Sequence, residues 1–302
     1  MTRFDRRRLL TSGAAAAVLL GAGVGAQAAP KRGGLLRAVL SGASAADSWD
    51  GRGHSRTFMQ VAAQGAVFET LTEVAPDGSL RGELLEEWRP REGGAIWDLR
   101  LREDRRYHDG AALEAAHVVE SLRRHREGGA PVARLVTRAR AQGDRVTLRL
   151  DRAVPNLPYL LSDPRLVIAS DAHIARGVGT GLYRVEAFRP GLRLEARRVA
   201  DHPRAGRAGW FDEIALSAED DPDMQERLLR GRQADVADLA RIEGEGFTTH
   251  RVAEGLSRPG FEGLAPFAGY ALTAHARIAV PGGLGALWPM DNARMAERWW
   301  MA

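Results

Sequence analysis

Cysteine is absent from the 302 residues, so neither a disulfide nor a lipid-modified amino-terminal cysteine can staple or tether the chain. Lysine is nearly absent too. Lys31 is the single lysine among 43 basic residues, and the others are arginine, which stays charged to very high pH. A large net charge of either sign is also missing. The formal balance is +4, but Arg3, Arg6, Arg7 and Arg8 against Asp5 supply +3 of it, leaving about +1 beyond residue 28. No basic block and no basic stripe interleaved with aromatics follows, which argues against a nucleic-acid partner. The arginine usage reads as compositional rather than as a phosphate-binding face.

Catalytic signatures are lacking as well. There is no Gly-x-Ser-x-Gly, phosphate loop, dinucleotide fingerprint or His-x-x-x-His, and the eight histidines are scattered. Glu114 and His117 lie three apart on an expected helix, where a solvated face accounts for them better than a metal site. Tyr107-His108-Asp109-Gly110 sets an acid–base pair side by side. Neighbours on a strand point to opposite faces, however, and Asp-Gly is turn chemistry. No catalytic residue, metal ligand or cofactor is assigned, and the chain reads as a non-enzyme.

What is present begins with a leader. Arg6-Arg7-Arg8-Leu9-Leu10 precedes an uncharged Ala/Gly-rich stretch to Pro30, with Ala26-Gln27-Ala28 as a small-residue end. This three-part pattern is that of a cleavable signal, and the adjacent arginines suggest the twin-arginine route. The expectation is a signal over 1–28, cut after Ala28, and a periplasmic mature protein. The stretch is only weakly apolar, whereas spanning takes about 20 strongly apolar residues, so no stable membrane span is expected after cleavage.

The mature chain has ordinary globular content, 44% hydrophobic and 27% charged over the whole sequence. Leu35–Leu40 reads as a first strand after Gly33-Gly34. Phe58, Val61, Ala62 and Gly65 fall on one helical face. Trp97, Leu99 and Leu101 alternate with Asp98, Arg100 and Arg102, a clean period of two, and Val146, Leu148 and Leu150 repeat it. Leu113 to about Arg126 reads as a helix burying Leu113, Ala116, Val119 and Leu122. Leu192, Leu194 and Ala196 read as a strand, as do Ile214 and Leu216. Asp221-Pro222 opens a helix with an Asp cap and a first-turn proline. Strands and helices mix without a regular βαβ repeat, so the expected class is α+β (mixed α/β) with a mixed, largely antiparallel sheet. From Ile242 the pattern dissolves into Gly/Pro punctuation, with Trp288, Trp299 and Trp300 near the end.

Five short signatures occur in order: Val67-Phe68-Glu69-Thr70-Leu71, Leu84-Leu85-Glu86-Glu87-Trp88-Arg89-Pro90, Tyr107-His108-Asp109-Gly110, Leu113 to Leu122, and Gly179-Thr180-Gly181-Leu182-Tyr183. Together they make the chain resemble the extracytoplasmic solute-binding proteins of peptide- and nickel-type ABC transporters (family 5). The resemblance runs to about Ala234-Asp235-Val236. It implies a periplasmic-binding-protein-like lobe over 29–240, an irregular segment over 241–302, and a truncated second lobe. It also implies a small solute or peptide as ligand, approached by Gly179, Thr180, Gly181 and Tyr183, and an ABC permease as partner. In the family the ligand is enclosed between two lobes, and peptide binders hold the ligand's ammonium with a carboxylate from the part expected to be missing, so ligand capture is expected to be altered or weakened. The alternative is a periplasmic protein-interaction module that keeps the fold, has lost solute binding and takes a protein partner.

Overall fold

A computed structural model describes residues 33–50, 56–74, 80–163, 165–205, 208–209, 211–239, 242–251 and 271–275. The expected leader, its cleavage point and the three terminal tryptophans lie outside the described residues. In chain order the strands are β1 Leu35–Leu40, β2 Thr72–Val74, β3 Leu80–Gly82, β4 Leu85–Arg91, β5 Ile96–Leu101, β6 Val136–Gln142, β7 Arg145–Leu150, β8 Tyr183–Arg189, β9 Arg193–Arg198, β10 Glu213–Ala218, β11 Val236–Ala237, β12 Phe247–Arg251 and β13 Ala271–His275. They form a seven-stranded sheet ordered β12-β13-β11-β1-β10-β9-β8, a four-stranded sheet ordered β4-β5-β7-β6 and the β2-β3 hairpin. In the large sheet β1 runs parallel to β10 and β11, while every other pairing is antiparallel. This is the mixed α+β class that the sequence pattern implies.

Strand β1 is central and covered on both faces, which explains its nearly continuous apolar run. Leu36, Ala38 and Leu40 enter the main core, whereas Val39 joins Leu229, Ala234, Ala237 and Leu239 on the other side. A helical turn at Thr57–Gln60 covers the first face and continues as a π-helix over Val61–Val67. The Phe68 amide donates to the Ala63 carbonyl, five residues back, at 2.8 Å. Phe58, Met59, Ala62, Ala63 and Val67 are fully buried there. Burying a side chain of Phe58's size contributes about 1.5–3 kcal/mol. The helix Pro222–Arg230 covers the second face. As expected, the Asp221 carboxylate accepts the Asp223 amide at 3.0 Å, and proline sits in the first turn.

In the small sheet Trp97, Leu99 and Leu101 point inward as their alternation requires. The helix Ala115–Glu127 is where expected, but its buried stripe is rotated. Ala115, Val118, Ser121, Leu122 and His125 face inward, while Ala116 is exposed and Val119 only half-buried. The cause is polar. Ser121 Oγ lies 2.7 Å from the Ala169 carbonyl and accepts the Ala169 amide at 3.0 Å. His125 Nε2 donates to the Val167 carbonyl at 2.8 Å. Hydrogen bonds to a segment some 40 residues away thus set the face that hydrophobicity alone misplaces by one position. Glu114 and His117 cap this helix: the Glu114 amide donates to His117 Nδ1 at 3.2 Å, and the Glu114 side chain accepts an amide from the first turn.

Two further expectations change. Leu192 is 61% exposed because it belongs to the Pro190-Gly191 turn, and the strand starts one residue later. Past Ile242, β12 and β13 extend the large sheet where the sequence shows no periodicity.

Candidate functional site

Strands β1, β10 and β11 are parallel neighbours, so their carboxyl ends lie along one edge of the large sheet. In open sheets with helices on both faces, that edge is where ligands are received. The loop leaving β1 is pinned there by two carboxylates. Asp238, after β11, accepts the Ser41 amide at 3.0 Å and the Ser41 hydroxyl at 2.5 Å. Asp220, after β10, accepts the Gly42 amide at 2.7 Å. Gln225, from the helix Pro222–Arg230, donates to Asp238 at 2.8 Å and to the Glu219 carbonyl at 2.6 Å. Gly42 adopts a φ of +79°, and a Cβ there would meet the Arg56 side chain at 2.7 Å. The loop ends on Trp49, buried against Phe68 and Phe188 at centroid distances of 5.8 and 4.4 Å. The result is a rim of residues 41–49 bonded at its start to Asp238 and Asp220.

The Gly179-Thr180-Gly181-Leu182-Tyr183 segment lies at the other end of the sheet, where β8 begins, and all five residues are buried. Its glycines are required by backbone rather than by open space. A Cβ on Gly179 would stand 1.8 Å from the Val67 carbonyl oxygen, and one on Gly181 would stand 2.4 Å from that of Ala66. The Gly181 amide donates to Val67 at 2.9 Å, satisfying a carbonyl at the π-helix end that has no helical partner. Three successive carbonyls of the segment are taken: Gly179 by the His108 amide at 2.9 Å, Thr180 by His202 Nε2 at 3.0 Å and Gly181 by His108 Nε2 at 2.9 Å. The fold thus brings together two signatures 70 residues apart. Tyr183 is a core tyrosine whose hydroxyl donates to the Phe211 carbonyl at 2.9 Å, and burial pushes its phenol well above the ordinary range.

His108 and Asp109 do not act as a pair. Asp109 faces His173 at 3.4 Å and Arg176 at 3.0 Å instead. His173 Nδ1 lies 2.6 Å from Ser170 Oγ, so serine, histidine and carboxylate stand in line. This line caps a helix. Ser170 Oγ accepts the His173 amide at 3.2 Å, while the Ser170 and Asp171 amides, the nearest donors for an oxyanion, are held by the Tyr107 hydroxyl and Glu120.

A buried ionic cluster, not apparent from sequence, ties the segment after β9 to the chain around β2 and β3. Arg204 Nη2 reaches Glu69 at 2.8 Å and Glu83 at 3.1 Å, and its Nη1 lies 3.7 Å from Glu73. Arg105 lies 3.4 Å from Glu69, and Arg81 lies 2.7 Å from Glu73. The Thr70 amide donates to Glu83 at 2.9 Å. Three carboxylates thus meet three guanidinium groups. Glu69 was visible as part of a signature, but Glu83 precedes one and carries no local signal of burial.

Burial, above all, lowers the pKa values of His108, His173 and His202, and His108 falls to about 4. His108 Nδ1 is buried without a partner, so protonation would strand a donor there. Its folded value lies below the unfolded value near 6.5. Its stabilisation is therefore complete above that pH and lost as the pH falls toward about 4, by linkage worth about 3 kcal/mol. The urea midpoint should drop between pH 7 and pH about 4, and the drop should shrink in His108→Gln. A midpoint indifferent to pH would contradict this reading.

Residues 79–259 match the family model described as bacterial extracellular solute-binding proteins, family 5 middle, so the match extends past Val236. No curated protein matches. Among solved structures, the chain is similar to a nickel ABC transporter protein from Bacillus halodurans (21% identity, TM-score 0.62, covering 72% of this chain and 47% of that one). It is similar to the oligopeptide-binding protein AppA from Bacillus subtilis in complex with a nonapeptide (15%, 0.62, 74% and 48%). It is also similar to the periplasmic binding protein DppA from Helicobacter pylori in complex with a peptide (14%, 0.64, 74% and 51%). At these identities the likeness shows a shared fold, and the chain spans about half the length of those structures. With a family match over more than half its length, laid on a mixed sheet with parallel central strands, the chain belongs to the bacterial extracellular solute-binding proteins of family 5.

Proposed function

We propose that the protein is a periplasmic solute-binding component of an ABC transporter that takes a small solute or peptide at the rim formed by the Ser41–Trp49 loop, Asp220 and Asp238. The single observation that carries the reading is the family match over residues 79–259. The rim supports the reading, because parallel strands end together there and Asp238 and Asp220 bond the loop leaving β1. Gly179, Thr180, Gly181 and Tyr183, which the family resemblance brings near the ligand, pack on Val67 and Phe68 and bond to His108, His202 and Phe211. Residues 1–28 act as the export signal, cleaved near Ala28, and delivery is to a membrane permease. No catalytic step is assigned to the protein.

The test is native mass spectrometry of the protein purified from the exporting cell. A retained small-molecule mass is expected. A bare chain, or a stable complex with a second protein in its place, would favour the interaction module over solute capture.

A further inference from the structure

We infer that the outer face of the β6–β7 hairpin is a docking surface for an anionic phospholipid membrane. The argument starts from strand register. One face of the small sheet carries Arg89 and Arg91 on β4, Arg100 on β5, Arg145 and Arg149 on β7, and Arg138 and Arg140 on β6. The β4–β5 half neutralises itself. Arg89 pairs with Glu87 at 2.5 Å, Arg91 with Asp98 at 2.7 Å and Arg100 with Glu86 at 2.6 Å.

The β6–β7 half does not. Arg145 and Arg149 are each more than half exposed and approach a carboxylate only at 4.0 and 3.9 Å. Arg138 and Arg140 are exposed, with no acidic partner among the described residues. Arg138 is also directly opposite Arg149 in the ladder. Directly opposed residues have Cβ atoms about 4.5–5.5 Å apart, and like charges there are destabilising.

Edge protection, a common use of charge on outer strands, accounts for Arg138 and Arg140 on the edge strand β6. It does not account for Arg145 and Arg149, which lie on β7, between β5 and β6. The surface therefore holds more cations against one another than Asp144 and Glu92 beside it balance, as expected if the remaining anions come from outside. Protein interfaces centre on aromatic and apolar anchors. On this hairpin the apolar side chains Val146, Leu148 and Leu150 are buried behind the face, which leaves arginine, threonine and glutamine outside. Cations spread over neighbouring strands rather than along a groove suit a planar array of headgroup phosphates, to which each arginine adds about a fivefold gain in affinity. The surface does not depend on solute capture. Sequence composition obscures it, because the balancing acidic residues lie elsewhere on the molecule.

The experiment is vesicle co-sedimentation of the full chain at low salt. Phosphatidylcholine alone is compared with phosphatidylcholine containing phosphatidylglycerol. Binding is expected only with the anionic lipid and should weaken as salt is raised. The Arg138→Gln/Arg140→Gln variant should lose about 20-fold or more and melt no lower than the parent, since it removes a like-charge pair. The Arg193→Gln/Arg197→Gln variant, altered on the large sheet, should bind as the parent does. Absence of binding to the anionic vesicles, or equal loss in both variants, would overturn the inference. Binding to polyglutamate but not to the vesicles would assign the face to an acidic protein and overturn the lipid assignment.

Discussion

Arg204→Ala is expected to lower folding stability by about 3–5 kcal/mol, the range found when one partner of a buried ion pair is removed. Arg204 is 9% exposed and reaches Glu69 and Glu83, which are 0% and 1% exposed. Removing the guanidinium leaves two desolvated carboxylates: Glu69, with Arg105 no nearer than 3.4 Å, and Glu83, held by the Thr70 amide and hydroxyl at 2.9 and 2.8 Å. The loss is asymmetric. A variant that also carries Glu69→Gln should recover part of the stability, because the stranded charge rather than the missing contact supplies most of the cost. Urea denaturation of the parent, the single variant and the double variant checks this. A single-variant loss below about 1 kcal/mol, the value typical of a surface pair, would show that water reaches the cluster and that the two segments are not locked there.

Gly179→Ala should be comparably severe, at about 3 kcal/mol or more, toward the upper end of overpacking costs. The added Cβ would fall 1.8 Å from the Val67 carbonyl oxygen and 2.6 Å from its carbonyl carbon. These are backbone atoms at the end of the π-helix, so no side-chain rotation relieves the clash. Separating the two segments would strain the neighbouring bonds from Gly181 to Val67 and from His108 to Gly179. Gly143→Ala serves as a comparison. It has a φ of +59° but open space around its Cβ position, so only backbone strain of about 1 kcal/mol is expected. Thermal melts of both variants separate packing from ligand contact. If Gly179→Ala melted with the parent and lost only solute, the segment would be a cradle rather than a packing joint.

The elements legible in the sequence are those specified by neighbours in the chain. Strand β5 shows itself through strict alternation, and the helix Pro222–Arg230 through an Asp cap and a first-turn proline. The features that were not legible depend on distant partners. Ser121 and His125 look like surface residues until the carbonyls of Val167 and Ala169 arrive, and their bonds turn the helix Ala115–Glu127. The π-helix register of Val61–Val67 is set where Gly179 and Gly181 press against its end. Glu83 and Arg204 are ordinary charges until the segment after β9 brings them together. Strands β12 and β13 are short, pair with each other, and reach the sheet only where β13 joins β11. The site was legible as a family signature but not as a position: the glycine-rich segment stands out in sequence, whereas the rim consists of three separate loops that only the parallel pairing of β1, β10 and β11 aligns.

The central claim is that solute is received at that rim, and the most direct measurement is native mass spectrometry of the parent and Asp220→Ala side by side. Asp220 is exposed and contributes a single bond to Gly42, so the variant should fold with a loss of about 1 kcal/mol. The account predicts that the parent carries a small-molecule mass and that the variant, similarly stable, retains it at least about tenfold more weakly, the change expected from losing one well-placed polar contact. The same mass held equally well by both proteins would contradict the rim as the place where this chain meets its solute.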